Sequence, residues 1–523
     1  MNEWTKRNQD YTLVDGAGAF SIGFAGMDFC EDDLKEMAPK FAAAAQGMAD
    51  IEAGKIKNPD ENRKVTHFSD RASYVSSTLF ETVEAFVEDI HSGALLSPAG
   101  KKFKAVVVNG IGGSALGPQL MQFAMNGPYW NELSDSKRRN YLKIYFLDNT
   151  DAAELTDLFA VMEPEETLHV VISKSGGTQE TKNNLIAMEN FYAQNSMTFA
   201  KYAVAITMKD SELDRKARSE KWLRVFEMAE SIGGRTSETS IVGHLPAALT
   251  GIDFREFLNG ACRMDEWTRT ADPLKNPAAM LSAMWYIAGK GKGDRNMVIV
   301  PYSDRLVLMS RYLQQLVMES LGKELDLDGN TVHQGLSVFG NKGGTDAHAF
   351  IQQLNDGRDD FFVTFIEVLK DSARYTISGD IAMGDYLHGF LEGLSEALRG
   401  KNRQVIRIQV AKLGAAELGM LIALYERAVA MYAEYIHINA FHQPGVQAYK
   451  LAAKSVLALR EKLNAAMVGK SLESGTAVEL AEKFGLGDDA VAVQGWLDKA
   501  ACNGGKVRRT FDTKRGEWVY SVK

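Results

Sequence analysis

The chain has 523 residues, of which 45% are hydrophobic and 24% charged, and its net charge is −9. It contains no run of roughly 18 apolar residues, the length that a membrane-spanning helix requires. Its three cysteines lie far apart without a CxxC pair, so the sequence indicates neither a disulfide framework nor a thiolate metal site. The negative charge disfavours general attraction to nucleic acid or to an anionic membrane, so we expect neither as a partner. The opening segment MNEWTKRNQDYTL lacks the apolar core of a secretion signal, so we expect a cytoplasmic protein.

The first half of the chain predicts a helical arm followed by an α/β domain. Residues 1–100 are expected to be largely helical. Short apolar runs separated by amphipathic stretches then occur at 105–112, 142–149, 168–175 and 202–208. Strands that are apolar on both faces and alternate with helices are typical of a parallel sheet covered by helices on both sides. We therefore predict a first α/β domain over residues 101–275.

The same pattern restarts after a helical stretch at about 251–290. Apolar runs predict further strands at 296–304, 361–369 and 404–413, and the region 415–465 is expected to form helices that return to pack on the rest. These segments predict a second α/β domain over residues 276–465. Because no low-complexity linker separates the two domains, we expect an extensive interface between them and a ligand site near it.

Residues 466–523 have a different character. Two or three short helices are predicted, then a two-stranded hairpin that turns at residues 514–516, an order that resembles a small winged-helix module. Such a module can bind DNA through a basic wing, and the basic residues here are Lys506, Arg508, Arg509, Lys514 and Arg515. Since the whole chain is acidic and no helix here is rich in Arg and Asn, we favour a structural or protein-interaction appendage.

The segment ISKSGGTQET at 172–181 follows one of the buried strands and combines glycines with short hydroxyl side chains. Glycine lets the backbone approach an anion, and a following helix offers free N–H groups and the positive end of its dipole. We therefore predict a phosphate-binding loop formed by Ser173, Lys174, Ser175 and Thr178. The alternative is an ordinary strand-to-helix loop in which Ser or Thr caps the helix, and this segment alone does not decide between the two.

A second glycine cluster, VVVNGIGGSALGP at 106–118, loosely fits the dinucleotide-binding fingerprint at Gly110, Gly112 and Ala115. A dinucleotide site also needs an acidic residue about 20 positions further on, whereas Asp148 lies nearly twice as far away. We therefore predict that Gly113 and Ser114 contribute a second contact to a phosphate or sugar. Both loops follow parallel strands of one sheet, where α/β proteins bind ligands at the carboxyl ends of the strands.

Several segments together make the chain similar to the phosphoglucose isomerase family. The matching segments, in the family's order, are NGIGGSALGP (109–118), ISKSGGTQET (172–181), IGGRTSETS (232–240), QQLVMESLGKELD (314–326), GGTDAHAFIQQLNDG (343–357) and HQPGVQAYK (442–450). The resemblance implies two sugar-isomerase domains, each a mainly parallel sheet flanked by helices. It also implies a homodimer and the interconversion of glucose 6-phosphate and fructose 6-phosphate.

Moving a carbonyl from C1 to C2 of a sugar requires a base that removes a proton beside the carbonyl and returns it to the neighbouring carbon. Glu319 is the candidate base, because it lies near the end of an apolar helix and matches the family's catalytic glutamate in MES-x-GK. Gln315 lies four residues earlier, on the same helical face, and matches a substrate-binding glutamine. Arg235, in a glycine turn, is the candidate partner of the negative enediolate oxygens.

Sugar phosphates arrive mostly as closed rings, so a second acid–base group is needed to open them. An imidazole can take up and release a proton near neutral pH, which makes His348 the candidate, and Lys450 can polarise a sugar oxygen beside it. Both occupy the family's ring-opening positions, and Gln443 matches a substrate-contacting glutamine. Residues 175–177, residues 345–347 and Pro444 depart from the larger animal-type members and resemble bacterial branches, which bears on fine substrate preference more than on reaction type.

We expect neither a cofactor nor a metal ion. His437 and His442 lack a third ligand nearby, and the acidic segment at 326–329 lacks the remaining ligands of a calcium loop. The expected partner is a hexose 6-phosphate. An isomerase for another sugar phosphate, such as mannose 6-phosphate or an amino sugar, would share nearly all of these residues, and a non-catalytic sugar-phosphate-binding regulator is a further alternative.

Overall fold

The computed structural model describes residues 2–469 and 473–522. The chain divides into two compact units, residues 1–442 and residues 443–523.

Helices and strands alternate through most of the chain. The α-helices of the described residues are α1 (Glu3–Asp10), α2 (Glu31–Glu36), α3 (Ala38–Glu52), α4 (His67–Tyr74), α5 (Thr78–Ser92), α6 (Gly113–Asn126), α7 (Ala152–Val161), α8 (Gln179–Gln194), α9 (Glu212–Ser219), α10 (Ile241–Leu249), α11 (Phe254–Trp267), α12 (Pro277–Ala288), α13 (Met309–Leu313), α14 (Ile351–Asp356), α15 (Met383–Gly400), α16 (Ala415–Tyr435), α17 (Pro444–Met467), α18 (Ala477–Lys483) and α19 (Ala490–Cys502).

The strands of the described residues are β1 (Thr12–Val14), β2 (Phe20–Gly26), β3 (Ile56–Asn58), β4 (Arg63–Lys64), β5 (Ala105–Asn109), β6 (Lys143–Leu147), β7 (Thr167–Ile172), β8 (Ala203–Thr207), β9 (Arg224–Glu227), β10 (Asn296–Tyr302), β11 (Lys323–Leu325), β12 (Thr331–Gln334), β13 (Val338–Phe339), β14 (Phe361–Val368), β15 (Thr376–Ser378), β16 (Ile381–Ala382), β17 (Val405–Val410), β18 (Ser474–Thr476), β19 (Val507–Asp512) and β20 (Glu517–Val522).

The first sheet of the N-terminal unit is entirely parallel, with the strand order β6-β5-β7-β8-β9. Strands β5, β7 and β8 are buried along their whole length, as a sheet covered on both faces requires. The four strands predicted from the apolar runs are confirmed. The edge strand β9 was not predicted, because it is short and is bounded by the charged residues Arg224 and Glu227.

The second sheet has the order β1-β2-β17-β14-β10-β13. Strands β17, β14, β10 and β13 run parallel, while β2 pairs antiparallel with β17 and β1 pairs antiparallel with β2. The first 100 residues are therefore more than a helical arm, because two of their strands extend this sheet. In β2 the buried side chains of Phe20, Ile22 and Phe24 alternate with less buried positions, which is the period of a strand.

Helix α16 occupies the centre of the N-terminal unit. Nearly all of its side chains are buried, and it packs against α11, α12 and α3. The charged side chains that it carries into the core, such as Glu426 and Arg427, therefore need charged partners. Charged groups of this core form a network, in which the Arg71 guanidinium contacts Asp265 at 2.7 Å and Glu426 at 2.8 Å, and Arg427 also contacts Asp265.

The C-terminal unit has the order helix, strand, helix, helix, strand, strand, which is a winged-helix arrangement as predicted. Its three-stranded antiparallel sheet has the order β18-β20-β19. Helix α17 belongs to this unit because Leu459 and Leu463 pack into one core with Leu480, Leu497 and Tyr520. The observed division after residue 442 therefore differs from the predicted boundary between residues 465 and 466.

Candidate active site

The helix that carries Gln315 and Glu319 follows strand β10. After α13 its backbone widens into a π-helical segment, Gln314–Glu319, a distortion that is frequent at functional sites. Leu316 and Val317 are buried and anchor this segment, whereas Gln315 and Glu319 are only partly buried. The sequence pattern predicted the apolar helix but not the π-helical turn within it.

Arg235 lies in a short 3₁₀ turn, Gly234–Thr236, and its guanidinium approaches the Glu319 carboxylate at 3.4 Å. It also donates hydrogen bonds to the Ser320 hydroxyl at 3.2 Å and to the carbonyl oxygens of Ala440 and His442 at 3.3 and 3.2 Å. Burial lowers the pKa of Arg235, and the Glu319 carboxylate opposes that effect. The structure thus brings together two of the predicted catalytic residues.

Lys323 is a site residue to which the sequence pattern assigned no role. Its ammonium donates to the carbonyl oxygen of Glu319 at 2.7 Å and to that of His442 at 3.2 Å. Burial, together with the nearby positive charge of Arg235, lowers the pKa of Lys323 to about 7. The only signal in the sequence was its presence in the family-like segment QQLVMESLGKELD.

The start of helix α6 lies against the turn that carries Arg235. A Cβ atom on Gly113 would lie 1.7 Å from the carbonyl oxygen of Gly234, so only glycine fits there. A Cβ on Gly112 would lie 3.0 Å from the side-chain nitrogen of Gln315. Gly113 therefore lies beside the Arg235 turn, and Ser114 is half-buried next to it. Free N–H groups at a helix start can hold an anion.

The predicted phosphate loop joins strand β7 to helix α8, beside strand β5 and the start of α6. The Ser173 hydroxyl accepts from the N–H of Gly176 at 3.2 Å and lies 3.3 Å from the Thr178 hydroxyl. Thr178 precedes α8, yet its hydroxyl makes no capping hydrogen bond to that helix. Ser175 is exposed and accepts from the N–H of Gly177 at 3.1 Å. Thr178 therefore does not cap helix α8, as the alternative interpretation of this loop proposed.

Lys174 links the phosphate loop to the Arg235 turn. Its ammonium donates to the carbonyl oxygen of Ile232 at 2.9 Å and also to that of Glu230. Burial, with a contribution from the nearby Arg63, lowers the pKa of Lys174 to about 8. The lysine therefore fixes the relative position of two loops in addition to carrying charge near the predicted anion site.

His348 is exposed and lies in a single 3₁₀ turn, Asp346–His348, that follows strand β13. The α-helix predicted around it begins later, at Ile351. The buried carboxylate of Asp346 holds this loop by accepting from the backbone N–H of Asn341 at 2.9 Å. Since β13 and β10 are parallel neighbours, His348 and Glu319 both come from segments that follow the carboxyl ends of adjacent strands.

Gln443 and Lys450 belong to the C-terminal unit. Gln443 precedes helix α17, Lys450 lies within its first two turns, and both side chains are exposed. Their assignment to substrate binding and ring opening stays a prediction from the family resemblance.

Among residues 2–469 and 473–522, no three His, Cys, Asp or Glu side chains are arranged to hold a metal ion. His437 instead faces Asp328 at 3.2 Å. Within the same ranges, none of the helices combines the length and the hydropathy that a membrane-spanning segment needs.

Comparison with known proteins identifies the family. Residues 32–389 match the family model for phosphoglucose isomerase. A glucose-6-phosphate isomerase from Geobacter sulfurreducens is 44% identical over 518 residues, which cover 96% of each protein. The chloroplastic glucose-6-phosphate isomerase 1 of Arabidopsis thaliana is 47% identical over 501 residues, covering 91% of this chain and 80% of that protein.

A solved structure supports the same assignment. The crystal structure of a glucose-6-phosphate isomerase from Chlamydia trachomatis matches with a TM-score of 0.76 at 27% identity, covering 87% of this chain and 91% of that one. The fold and the sequence define an α/β isomerase of sugar phosphates. The chain belongs to the phosphoglucose isomerase family.

Proposed function

We propose that this protein interconverts D-glucose 6-phosphate and D-fructose 6-phosphate, with Glu319 as the base that transfers the proton. Membership of the phosphoglucose isomerase family supports the reaction. The observation that carries the mechanism is the partly buried carboxylate of Glu319 held 3.4 Å from the guanidinium of Arg235. A base beside a fixed cation is the arrangement needed to remove a proton and stabilise the resulting oxyanion.

In the proposed reaction, Glu319 removes the proton from C2 of the open-chain aldose. The electrons of the C–H bond form the C1–C2 double bond of a cis-enediol, and the carbonyl oxygen at C1 gains a proton. Glu319, now protonated, returns its proton to C1 while the hydroxyl at C2 loses its proton and becomes the ketone carbonyl, which balances the proton gained by the oxygen at C1. No external oxidant or reductant is needed, because the proton and the electrons are redistributed within the sugar.

Arg235 is proposed to stabilise the negative charge that develops on the enediol oxygens. Its guanidinium is buried, so its field is weakly screened by solvent, and four acceptors in the surrounding protein fix its direction. Gln315 is proposed to orient the sugar from the same helical segment as Glu319. The phosphate would bind at Ser173, Lys174, Ser175 and Thr178, with Gly113 and Ser114 contributing a further contact from α6.

Ring opening is assigned to His348 and Lys450, and a substrate contact to Gln443. His348 has the exposure and the loop position that a proton-transferring imidazole needs. The two residues of the C-terminal unit enter the proposal through the family resemblance alone.

Assembly, location and substrate choice complete the proposal. We expect a cytoplasmic, metal-independent homodimer whose substrate is a hexose 6-phosphate. The C-terminal unit is proposed to be an appendage without affinity for nucleic acid. Two of its basic side chains already have acidic partners, Arg509 with Asp498 at 2.7 Å and Arg515 with Glu479 at 3.2 Å.

A coupled assay in both directions, run with and without EDTA, tests this function. Conversion of glucose 6-phosphate to fructose 6-phosphate and back, unchanged by the chelator, is the expected result. No interconversion would contradict the proposed reaction, and loss of activity with EDTA would contradict its metal independence. Mannose 6-phosphate and glucosamine 6-phosphate in the same assay separate the alternative substrates, because a higher kcat/KM for either would reassign the enzyme.

A further inference from the structure

A buried glutamate connects the two segments that carry the candidate catalytic residues. Glu238 lies three residues after Arg235, in the buried segment between the Arg235 turn and α10, and only 1% of its surface is exposed. Its Oε1 accepts a hydrogen bond of 2.6 Å from the hydroxyl of Tyr312. Tyr312 lies in α13, three residues before Gln315 and seven before Glu319. Glu238 therefore ties the turn of Arg235 to the helix of Glu319.

Glu238 also contacts a second buried carboxyl group. Glu426, in the central helix α16, faces Glu238 at hydrogen-bond distance, and its Oε2 accepts a 2.8 Å hydrogen bond from Arg71. Within the described part of the chain, the remaining oxygens, Oε2 of Glu238 and Oε1 of Glu426, have no N–H or O–H donor. An ionised carboxylate only accepts hydrogen bonds, so two carboxyl groups bond to each other only when one of them keeps its proton.

The surroundings favour retention of that proton. Burial raises the pKa of Glu426 well above its ordinary value; the positive charge of Arg71 opposes this effect and the negative charge of Glu238 adds to it. Burial also raises the pKa of Glu238. The titratable and charged groups that surround the pair are Tyr312 on α13, Arg71 on α4, Asp265 and Arg427 behind Arg71, and Arg235, His67 and Arg63 across a small cavity.

A small cavity lies between Glu426 and Arg235. Glu426 and Arg235 line it together with Ser320 and His67, and its volume is about 20 Å³, the size of a single water molecule. On its other side Glu238 is in contact with α6, because a Cβ on Gly117 would lie 2.5 Å from the Cβ of Glu238. The pair therefore lies where α6, the Arg235 turn, α13 and α16 meet.

We propose that Glu238 and Glu426 share one proton and act as a positioning pair for the isomerisation, holding the helix of Glu319 and the turn of Arg235 in register. The proposal rests on the proposed function of those two residues. The pair touches no substrate. It acts through Tyr312 on one side and through the backbone of residues 235–238 on the other. A shift of about 1 Å in a catalytic group can cost about 100-fold in rate, so a rigid link at this point matters to turnover.

Infrared spectroscopy of the full-length protein detects the shared proton directly. At pH 8 carboxyl groups with ordinary pKa values are ionised, so the C=O stretching band of a carboxylic acid reports a protonated buried one. We expect this band in the wild type and its loss in both Glu238→Gln and Glu426→Gln, because an amide N–H then supplies the hydrogen bond. A wild type without the band, or a band that survives in both variants, would overturn the shared proton.

Kinetics of the same variants test the positioning role. Glu238→Gln keeps a neutral hydrogen-bonding partner for Tyr312 and should keep kcat within about threefold, whereas Glu238→Ala should lower kcat about tenfold or more with KM changed by less than about threefold. Tyr312→Phe should act in the same direction as the alanine variant and tests the link if Glu238→Ala does not fold. Tyr432→Phe, which removes another buried hydroxyl, is the matched control and should leave kcat unchanged.

Equal losses in Glu238→Gln and Glu238→Ala, or no loss in the alanine variant and in Tyr312→Phe, would overturn the positioning role. Failure of the proposed function is distinguishable, because it would appear as a wild type that does not interconvert the two sugar phosphates. The infrared band decides whether the proton is shared in either case.

Discussion

The guanidinium of Arg235 lies 3.4 Å from the carboxylate of Glu319, and the exposed fractions of the two side chains are 7% and 17%. Arg235 comes from the part of the chain that follows the first parallel sheet, and Glu319 comes from the helix after strand β10 of the second. The proposed chemistry therefore depends on a contact between segments more than 80 residues apart in sequence, both within the N-terminal unit.

Replacing Arg235 should slow turnover more than it weakens binding. A donor that stabilises developing charge in a dry pocket is worth about 3 kcal/mol, so Arg235→Ala is expected to lower kcat about 100-fold with a small change in KM. Arg235→Lys keeps the charge but not the planar set of donors and should be intermediate.

Steady-state kinetics on both sugar phosphates measures this effect. Arg295→Ala is a suitable control, because Arg295 pairs with Asp359 just before β10, at the other end of that strand from Glu319. A kcat for Arg235→Ala within threefold of the wild type would remove Arg235 from the mechanism.

Gly113 should not tolerate any side chain. The Cβ of Gly113→Ala would lie 1.7 Å from the carbonyl oxygen of Gly234, so either α6 or the Arg235 turn must move. We expect the variant to lose most of its activity and to unfold at a lower temperature. Gly177→Ala is the matched control in the phosphate loop, since its nearest atom is 3.5 Å away. Equal activity of the two variants would mean that this close contact has no functional importance.

Substrate affinity should depend on the charge of Lys174. Its pKa is lowered to about 8, so the ammonium is charged below that pH and becomes neutral as the pH rises through it. A positive charge near the phosphate loop is worth roughly 1–2 kcal/mol, so KM should rise about tenfold between pH 7 and pH 9.5. Lys174→Arg stays charged and should remove this rise, whereas Lys174→Met should show a raised KM at both pH values. An identical pH profile for all three proteins would contradict the role of Lys174.

The stability of the protein should depend on Lys323 in a defined pH window. Its pKa in the folded protein is lowered from 10.5 to about 7. Between these two values the unfolded chain binds one more proton than the folded one, so this residue's contribution to stability increases as the pH rises from 7 towards 10.5. One pKa unit corresponds to about 1.4 kcal/mol, so the full change is several kcal/mol.

Urea unfolding of the wild type and of Lys323→Met at pH 7, 8 and 9 measures that contribution. The advantage of the wild type over the variant should grow with pH. Lys209→Met, at an exposed position, is the control and should show no such trend. A difference between wild type and Lys323→Met that is constant over this range would contradict the lowered pKa.

Much of the fold could be predicted because its signals are local. The buried strands β5, β7, β8, β10 and β14 are continuous apolar runs, and the order of elements in the C-terminal unit is visible from its helices and hairpin. The alternation of Phe20, Ile22 and Phe24 was an available signal for β2 that the helical prediction for residues 1–100 overlooked. Strand β17 itself was predicted, but its pairing with β2 could not be, because pairing across almost the whole chain leaves no local pattern.

In the candidate site too, contacts between distant parts of the chain could not be predicted from the sequence. Glu319, Arg235 and the phosphate loop were predicted from the chemistry of their residues together with motifs that resemble the family's. Lys323 was not, because its role depends on two carbonyl oxygens, of Glu319 and His442, that only the folded chain brings to its ammonium. No role was predicted for Glu238 and Glu426 for a similar reason, since an isolated glutamate in a sequence is expected to be solvated.

The most direct test of the proposed mechanism is the replacement Glu319→Gln, with turnover and binding measured on the same preparation. The variant keeps the shape and the hydrogen-bonding capacity of the side chain but cannot accept the proton from the sugar. We predict that kcat falls by about 1,000-fold or more while the dissociation constant for fructose 6-phosphate, measured by calorimetry, changes by less than about threefold. A kcat within tenfold of the wild type, with binding intact, would show that another group is the base.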